Sequence, residues 1–562
     1  VLIQDRNAPF PVWYSCQMCH KDFYALVHDL WFINKQITNY KSNIKPYQCH
    51  ACPANSICSY GKITAEPDHW GYEINGMVNI LQCPIDYCCS TSPCNSFDSC
   101  NIGREGTLCS SCKRNYSLSL GNNKCLHEMF CQSYVFWTFF ILNVLGYCLF
   151  LSFRDDLDKT VKVLKLVCNK LQYLVKSLIH KKQKVHVKSS GVPFSNIWQI
   201  LVYHVQDIAL LQHQTQIPDS LQHIDQFKEN AVTFLQFSSI FPEGVCLSEM
   251  TFIRNVLIDI SLVPIIISTL LAVQFVIFLL QKYQKIRKPQ LWYSHTVLGI
   301  LLSVMYANQK IATTLFNLVH CVVINNQKCL FIYAETVCWQ SWQLVVIGCI
   351  VFIVIPKCIV FLLGPPLLHY QMISNFQFIS ALLMPVPFVI YWVYLICKSN
   401  KKVKHESKSS VSLTTSSQTI LKELYDLFNE NIISPHVCWM GFIEMRRLGL
   451  VLCSVFLGDQ ILSYVAKTFI CLIAFTAIVS GKPYKSRCLN IFSAFSLFSQ
   501  IAIGMCSLVF FSNISSESFT MEFMLYAQMF FIMLLPLCLL LGAVSFVGKY
   551  AVRRAHANTI EM

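Results

Sequence analysis

The sequence contains little charge for its length. Only 13% of its 562 residues are Asp, Glu, Lys or Arg, whereas a soluble domain usually carries about 25%. Hydrophobic residues make up 54% of the chain. This balance argues against one large soluble fold and predicts a chain whose main solvent is lipid.

The sequence also lacks the short motifs of common enzymes. It has no Gly-rich phosphate loop, no H-E-x-x-H and no G-x-S-x-G, so we expect no enzyme activity and no cofactor. Cys-x-x-Cys occurs at Cys16–Cys19, Cys49–Cys52 and Cys109–Cys112. Such pairs would suggest zinc in a reducing compartment, but outside the cell they favour small disulfide loops. We therefore expect no bound metal.

The net charge is +14, and its distribution does not indicate a nucleic-acid partner. The Lys and Arg residues lie in short loops between apolar runs, which is the pattern of cytoplasmic loops in membrane proteins. We expect the lipid bilayer to be the main partner, together with an extracellular ligand or matrix partner. The oligomeric state stays open.

Cysteine is unevenly distributed. Fourteen of the 29 cysteines fall within the first 131 residues, which predicts a disulfide framework in an oxidising compartment whose pairing stays open. The framework cysteines are Cys16, Cys19, Cys49, Cys52, Cys58, Cys83, Cys88, Cys89, Cys94, Cys100, Cys109, Cys112, Cys125 and Cys131. Cys246, Cys321, Cys329 and Cys338 are candidates for disulfides in extracellular loops. Most other cysteines lie singly in apolar runs and indicate ordinary packing.

Ten apolar runs follow, and about 20 apolar residues suffice to span a bilayer. The runs are Tyr134–Phe153, Pro193–Leu211, Phe252–Leu280, Tyr293–Val319, Trp342–Leu363, Phe376–Cys397, Arg447–Leu457, Lys467–Ser480, Leu489–Phe511 and Phe523–Val547. The fold class is therefore a membrane all-α bundle of about nine spans, with a range of nine to eleven, preceded by a small disulfide-rich extracellular domain.

Charge fixes the expected orientation in the plasma membrane, with the N-terminus extracellular and the C-terminus cytoplasmic. This orientation requires an odd number of crossings. Five prolines within 342–397 favour a re-entrant or half-spanning part there. A rival explanation is that Pro193–Leu211 does not cross.

The predicted organisation has seven parts. They are an extracellular region 1–131, a first span 132–153, a basic amphipathic cytoplasmic segment 154–192, a first membrane part 193–397, a Lys/Ser-rich cytoplasmic loop 398–446, a second membrane part 447–548 and a cytoplasmic tail 549–562. Sequons at Asn115 and Asn513 would then lie outside, where glycosylation takes place.

One motif supports a family resemblance. The stretch Gly103-Arg104-Glu105-Gly106-Thr107-Leu108-Cys109-Ser110-Ser111-Cys112 is followed by Asn115-Tyr116-Ser117. It resembles the EGF/ephrin-receptor-like cysteine-rich module that precedes the membrane domain in large multi-pass surface proteins of sponges, cnidarians and some protists. The membrane half is more distantly similar to fungal TRP-like and flavin-carrier domains, on Glu444-Met445-Arg446-Arg447 and Lys482-Pro483-Tyr484 with Asn490.

Polar residues inside the apolar runs are the candidates for a functional site, because ionisable groups are costly at membrane depth. They are Gln199, His204, Gln206, Asp207, Asp259, Lys310, Asn317 and Lys357. A functional interpretation pairs Asp207 or Asp259 with Lys310 across helices along a polar path. The alternative is that these groups only fix helix packing.

These observations leave two functions open. The first is a receptor-like or adhesion-type surface protein, in which the disulfide-rich domain binds a partner. The second is a TRP-like cation channel or a transporter, in which the polar residues line a path. A continuous water-accessible cavity favours transport, whereas a packed bundle favours the receptor.

Overall fold

The computed structural model describes the chain in parts. It covers residues 49–131 and 307–399 almost completely, together with 194–211, 436–512 and 522–537, and shorter pieces within 2–26, 134–141, 246–279 and 304–305. The predicted segment 154–192, the tail 549–562, most of the loop 398–446 and the sequon at Asn513 lie outside the described residues.

The chain forms two compact units. The first joins three separate stretches, Val1–Ser133, Glu243–Phe252 and His320–Cys338, and the second contains the rest. The disulfide-rich unit is therefore larger than the predicted region 1–131. It gains two segments that the sequence places between apolar runs.

The first unit consists of short antiparallel strands. They are β1 (Leu2–Gln4), β2 (Trp13–Ser15), β3 (Phe23–Tyr24), β4 (His50–Ala51), β5 (Ser56–Ser59), β6 (Lys62–Ala65), β7 (His69–Ile74), β8 (Met77–Gln82), β9 (Arg104–Glu105), β10 (Ser111–Cys112), β11 (Tyr116–Leu118), β12 (Cys125–His127), β13 (Cys321–Ile324), β14 (Gln327–Leu330) and β15 (Tyr333–Val337), with 3-10 turns at Thr107–Cys109 and Glu128–Phe130. The longest hairpin, β7–β8, turns at Asn75 and Gly76, which both have positive φ. Asn-Gly is the pair that a two-residue hairpin turn prefers.

Among the residues that the structure describes, eight disulfides cross-link this unit. They are Cys19–Cys49, Cys52–Cys58, Cys83–Cys88, Cys89–Cys94, Cys100–Cys109, Cys112–Cys125, Cys131–Cys246 and Cys321–Cys338. Cross-links restrict the unfolded chain and so stabilise a unit with a small apolar core.

Three details of the disulfide prediction need correction. The framework is not closed within residues 1–131, because Cys131 bonds Cys246. The motifs Cys49–Cys52 and Cys109–Cys112 do not close on themselves, since each cysteine bonds one elsewhere. Cys329 is a buried free thiol on β14 rather than a disulfide partner. Cys16 lies outside the described residues.

The second unit is helical throughout its named elements. They are α1 (Phe194–Leu211), α2 (residues 307–317), α3 (Ser341–Cys349), a π-helical segment (Ile350–Val354), α4 (Ile355–His369), α5 (Asn375–Leu383), α6 (Pro385–Ser399), α7 (Trp439–Phe456), α8 (Gln460–Gly481), α9 (Arg487–Ser512) and α10 (Glu522–Leu537).

Three helical stretches in the described residues are long and apolar enough to cross a membrane: Ser341–Leu368, Gln460–Gly481 and Arg487–Val509. The coarser prediction is therefore confirmed, namely a mostly helical chain with membrane-spanning candidates and a disulfide-rich N-terminal region. A count of nine spans is not supported by the described residues.

The prolines act differently in the two runs that contain them. Helix continues from Ser341 to Leu368 through the π-helical segment, and Pro365 and Pro366 lie inside α4. In contrast, the run Phe376–Cys397 is divided at Met384 into helices of nine and fifteen residues. Each of these is shorter than the roughly 20 residues that a crossing needs.

The helices pack around large apolar side chains. Phe361 on α4, Phe378 on α5 and Trp392 on α6 are almost fully buried in one cluster. The cluster also contains residues of α1, α7, α8 and α9, so α1 and α7 are held side by side. This packing positions the polar residues described next.

Candidate functional site

The candidate site is a cluster of buried charges between α1, α2, α7 and α9. Asp207 on α1 has no exposed surface, and Glu444 and Arg447 on α7 are each 1% exposed. Uncompensated charges at such depth are very costly, so buried charges occur in pairs with further hydrogen bonds. The contacts within the cluster meet that requirement, and they fall into three groups.

In the first group of contacts, Asp207 pairs with two arginines. Arg446 Nη2 donates to Asp207 Oδ2, and Arg447 Nε lies 3.6 Å from Asp207 Oδ1. These neighbours on α7 approach the same carboxylate of α1. The carboxylate therefore joins the two helices.

In the second group of contacts, Glu444 has three hydrogen-bond partners. Its Oε1 accepts from the Tyr203 hydroxyl at 2.8 Å and from Arg447 Nη1 at 3.2 Å, and its Oε2 accepts from Asn308 Nδ2 at 3.2 Å. Tyr203 also places its ring 3.9 Å from the Arg447 guanidinium carbon. One carboxylate thereby connects α7 with α1 and α2.

In the third group of contacts, the two arginines donate to the oxygens of neutral side-chain amides. Arg447 Nε donates to Gln309 Oε1 at 3.1 Å, Arg447 Nη2 donates to Gln206 Oε1, and Arg446 Nη1 donates to Gln500 Oε1 at 2.7 Å. Amide oxygens satisfy guanidinium protons without adding charge. Arg446 thus has one carboxylate and one amide as partners, and Arg447 has two of each.

The formal charges of the paired groups balance. Two carboxylates, Asp207 and Glu444, face two guanidinium groups, Arg446 and Arg447. Lys357 on α4 is a further buried side chain near Glu444, at 9% exposure.

A small cavity of about 40 Å³ lies beside the cluster. Its lining includes His204, Arg446, Ser493, Ser496 and Gln500. A buried space of this size holds roughly three water molecules.

His204 is the lining residue with unused hydrogen-bonding capacity. Its ring is fully buried, and its Nδ1 lies 3.0 Å from the Ser496 hydroxyl. Its Nε2 has no hydrogen-bond partner among the described residues. A buried unpaired polar atom is unfavourable, which makes this nitrogen a candidate ligand contact.

The sequence identified part of this cluster. Gln206, Asp207 and Lys357 belong to it, and Gln199 and His204 line the adjacent cavity. Asn317 is half-buried at the end of α2, and it is not among the described hydrogen-bond partners of the cluster. Asp259 lies outside the described residues.

The cationic partners of Asp207 differ from the one predicted. The described ion pairs of Asp207 go to Arg446 and Arg447, whereas the sequence pointed to Lys310. On α2 the buried side chains include Asn308, Gln309 and Ala312, and Lys310 is half-exposed beside them. On a helix, positions four apart such as 308 and 312 share one face, whereas position 310 lies on the other side.

Sequence reasoning missed the two arginines because it placed them at the end of a cytoplasmic loop. The predicted apolar run begins at Arg447, but α7 begins eight residues earlier, at Trp439. The spacing of Glu444 and Arg447, three residues apart on one helix, was the available indication.

A second buried polar group lies in the disulfide-rich unit. Arg104 is 1% exposed, its guanidinium carbon lies 3.6 Å from the centre of the Tyr87 ring, and it donates to the Cys109 carbonyl at 2.9 Å. The sequon residue Asn115 is exposed at a turn before β11, as glycosylation requires.

Asp68 gives the disulfide-rich unit a pH-dependent stability. Burial and the nearby charge of Asp86 raise the pKa of Asp68 from 3.8 to about 7. Between these two values the folded unit binds more protons than the unfolded chain, so stability falls as pH rises, by on the order of 4 kcal/mol. We expect Asp68→Asn to remove most of that loss.

The measurement is limited proteolysis of the purified full chain at about pH 5 and about pH 8. The natural protein should be more resistant at the lower pH, and Asp68→Asn should be nearly equal at both. Exchange of the exposed Glu73 for Gln is the control and should keep the difference. A natural protein equally resistant at both pH values would contradict the prediction.

Comparison with known proteins adds no assignment, since no protein family, no curated protein and no solved structure matches the chain.

Proposed function

We propose that the protein is a multi-pass cell-surface membrane protein of the receptor-like or adhesion type. In this proposal the disulfide-rich unit is an EGF/ephrin-receptor-like ectodomain that binds an extracellular ligand or a matrix component. The helical unit holds it at the plasma membrane and responds to binding. The observation that carries the proposal is one compact unit formed by three distant stretches, in which the described residues form eight disulfides and Cys131–Cys246 links two of the stretches.

The same disulfides support the proposed topology. Cys131 and Cys246 must share a compartment in order to bond, and so must Cys321 and Cys338. Disulfides persist in oxidising compartments, so an even number of crossings separates Cys131 from Cys246. This favours a crossing by Pro193–Leu211 over the rival explanation. Nine crossings, with an extracellular N-terminus and a cytoplasmic C-terminus, belong to the proposal on the distribution of Lys and Arg along the sequence.

The buried cluster favours a closed bundle over an open pore. Asp207, Glu444, Arg446 and Arg447 bond one another or neutral amides, and the adjacent cavity has a volume of about 40 Å³. An aqueous path would leave such groups hydrated instead of paired. A paired network can hold two helices in one arrangement until binding shifts it.

A TRP-like channel or a transporter is the second candidate. It is favoured by one observation: the Nε2 of His204, next to a buried ionic cluster, has no hydrogen-bond partner among the described residues. Ionisable groups inside membrane bundles often mark transport paths.

The experiment compares adhesion with conduction. Cells that display the full chain should bind matrix proteins or neighbouring cells more strongly than untransfected cells, and a mild extracellular reductant should abolish the gain. Reconstituted protein should show no unitary current, and Asp207→Asn and Lys310→Ala should leave that result unchanged. Absence of adhesion, together with currents altered by either substitution, would replace this proposal with the second candidate.

A further inference from the structure

We infer that the turn between α8 and α9 is a docking site for anionic phospholipid head groups of the adjacent leaflet. Three exposed cations, Lys482, Lys485 and Arg487, lie on this turn, and we call them the basic turn. The charge of the two helices, the fixed shape of the turn and the apolar surface beside it point to this role. It requires the membrane placement within the proposed function, but not the receptor-like activity.

The two helices and their turn carry positive charge only. From Gln460 to Ser512 the sequence has four cations and no Asp or Glu. Lys467 is buried and donates to the Leu210 carbonyl at 3.0 Å, and the other three cations form the basic turn. Among the described residues, none forms an ion pair with the basic turn. The turn therefore presents a positive field that no neighbouring carboxylate of the two helices offsets.

The backbone of the turn has a fixed shape. Tyr484 is buried in its middle, and the Tyr484 hydroxyl accepts from Trp439 Nε1 at 3.2 Å. Asn490 on α9 closes the backbone, since its Oδ1 accepts from Tyr484 N at 3.0 Å and its Nδ2 donates to the Tyr484 carbonyl at 2.6 Å. Binding of a head group would then order the long cationic side chains but not the backbone, which lowers the entropic cost of binding.

The start of α9 adds to the positive field. This helix begins at Arg487 and has 26 residues, so the positive end of its dipole lies at the same turn. Phosphate groups favour such helix starts. The helix dipole and the three cations therefore act on an anion in the same direction.

Exposed apolar side chains lie next to the cations on both helices. Val479 is exposed three residues before Lys482, and Ile491 is exposed four residues after Arg487. Because positions four apart share a helix face, α9 presents a cation and an apolar group on one side. Both helices are long and apolar enough to cross a membrane. Such a boundary between cations and apolar surface is typical of the head-group level of a bilayer.

An anionic phospholipid matches this order of groups. Its phosphate accepts charge-assisted hydrogen bonds from Lys and Arg, while its acyl chains cover the apolar face beside Ile491. A soluble phosphate would use the cations but leave that face uncovered. One Lys or Arg near an anionic membrane surface contributes about a fivefold preference.

The test records which lipids contact α9 next to the basic turn. Benzoylphenylalanine replaces Ile491 in the full chain, which is placed in nanodiscs of equal phosphatidylcholine and phosphatidylserine. Light-induced lipid adducts at this position are identified by mass spectrometry. We expect adducts of phosphatidylserine to outnumber those of phosphatidylcholine by about fivefold or more. A triple variant with Lys482→Gln, Lys485→Gln and Arg487→Gln should label both lipids equally.

Two controls locate the effect. Benzoylphenylalanine in place of Phe469, an exposed residue of α8 about 18 Å from the end of that helix, should label both lipids equally. Labelling there in the triple variant shows that the variant is folded into the bilayer. Lys62→Gln, Lys113→Gln and Arg114→Gln together remove the same charge from exposed positions of the disulfide-rich unit and should keep the preference at position 491.

Equal labelling of the two lipids at position 491 of the natural protein would overturn the inference. A preference that persists in the triple variant would overturn it too, because other cations would then attract the lipid. Absence of lipid adducts at both position 491 and position 469 would contradict the membrane placement itself, and with it the proposed function. The two failures are therefore distinguishable.

Discussion

Replacing Asp207 with asparagine is expected to destabilise the helical unit by about 3–5 kcal/mol. The substitution preserves shape and removes the one negative charge that Arg446 and Arg447 share. Arg446 then has no acidic partner among the described residues, and Arg447 keeps only Glu444. We expect a much lower melting temperature of the full chain in detergent and a smaller monodisperse fraction in size-exclusion chromatography.

Two further variants separate the ion pair from the loss of any acidic residue. Glu522→Gln makes the same chemical change at a half-buried position on α10 and should leave the melting temperature almost unchanged. Asp207→Leu combined with Arg446→Met removes both partners and should recover part of the loss, because no charge is then left without its partner. An Asp207→Asn protein as stable as the Glu522→Gln control would contradict the proposed role of the cluster.

Replacing Gly441 with alanine is expected to separate α4 from α7, at a cost of about 3 kcal/mol or more. A Cβ at this position would lie 2.7 Å from the Leu362 nitrogen and 2.8 Å from the Phe361 carbonyl oxygen. These are backbone atoms of a packed helix, so they cannot turn aside as a side chain can. The expected readout is loss of folded protein at the temperature where the natural chain is stable.

Gly449 provides the matched control, since it lies on the same helix. A Cβ there would meet only the end of the Ile470 side chain, at 3.4 Å. Gly449→Ala should be neutral or stabilising by up to about 1 kcal/mol, because alanine favours a helix interior. Equal melting temperatures for Gly441→Ala and Gly449→Ala would show that α4 and α7 do not approach as described.

Composition and periodicity were enough to predict the division between a disulfide-rich region and apolar helices. The pairing of the cysteines could not be predicted from composition or periodicity. The bond from Cys131 to Cys246 spans 115 residues, and spacing along the chain carries no information about such a contact. The assignment of Cys321 and Cys338 to an oxidising loop came from the scarcity of cations around them, and the structure gives them a common disulfide.

Some residues of the ionic cluster could be predicted from the sequence, but their partners could not. Polar residues in an apolar run, such as Asp207, can be identified in the sequence as site candidates, because placing an ionisable group at membrane depth is energetically unfavourable. Their partners depend on which helix faces converge, and that follows from packing around Phe361, Phe378 and Trp392. Arg446 was visible too, but its position beside a basic loop favoured a cytoplasmic flank over a buried partner.

The account depends most on the proposal that the disulfide-rich unit, which three stretches of the chain form, is oxidised and extracellular. Intact cells that display the full chain are treated with a membrane-impermeant maleimide, and the unreduced protein is then digested and analysed by mass spectrometry. We predict linked peptides for Cys131–Cys246 and for Cys321–Cys338. Recovery of these four cysteines as free thiols, labelled or unlabelled, would contradict it.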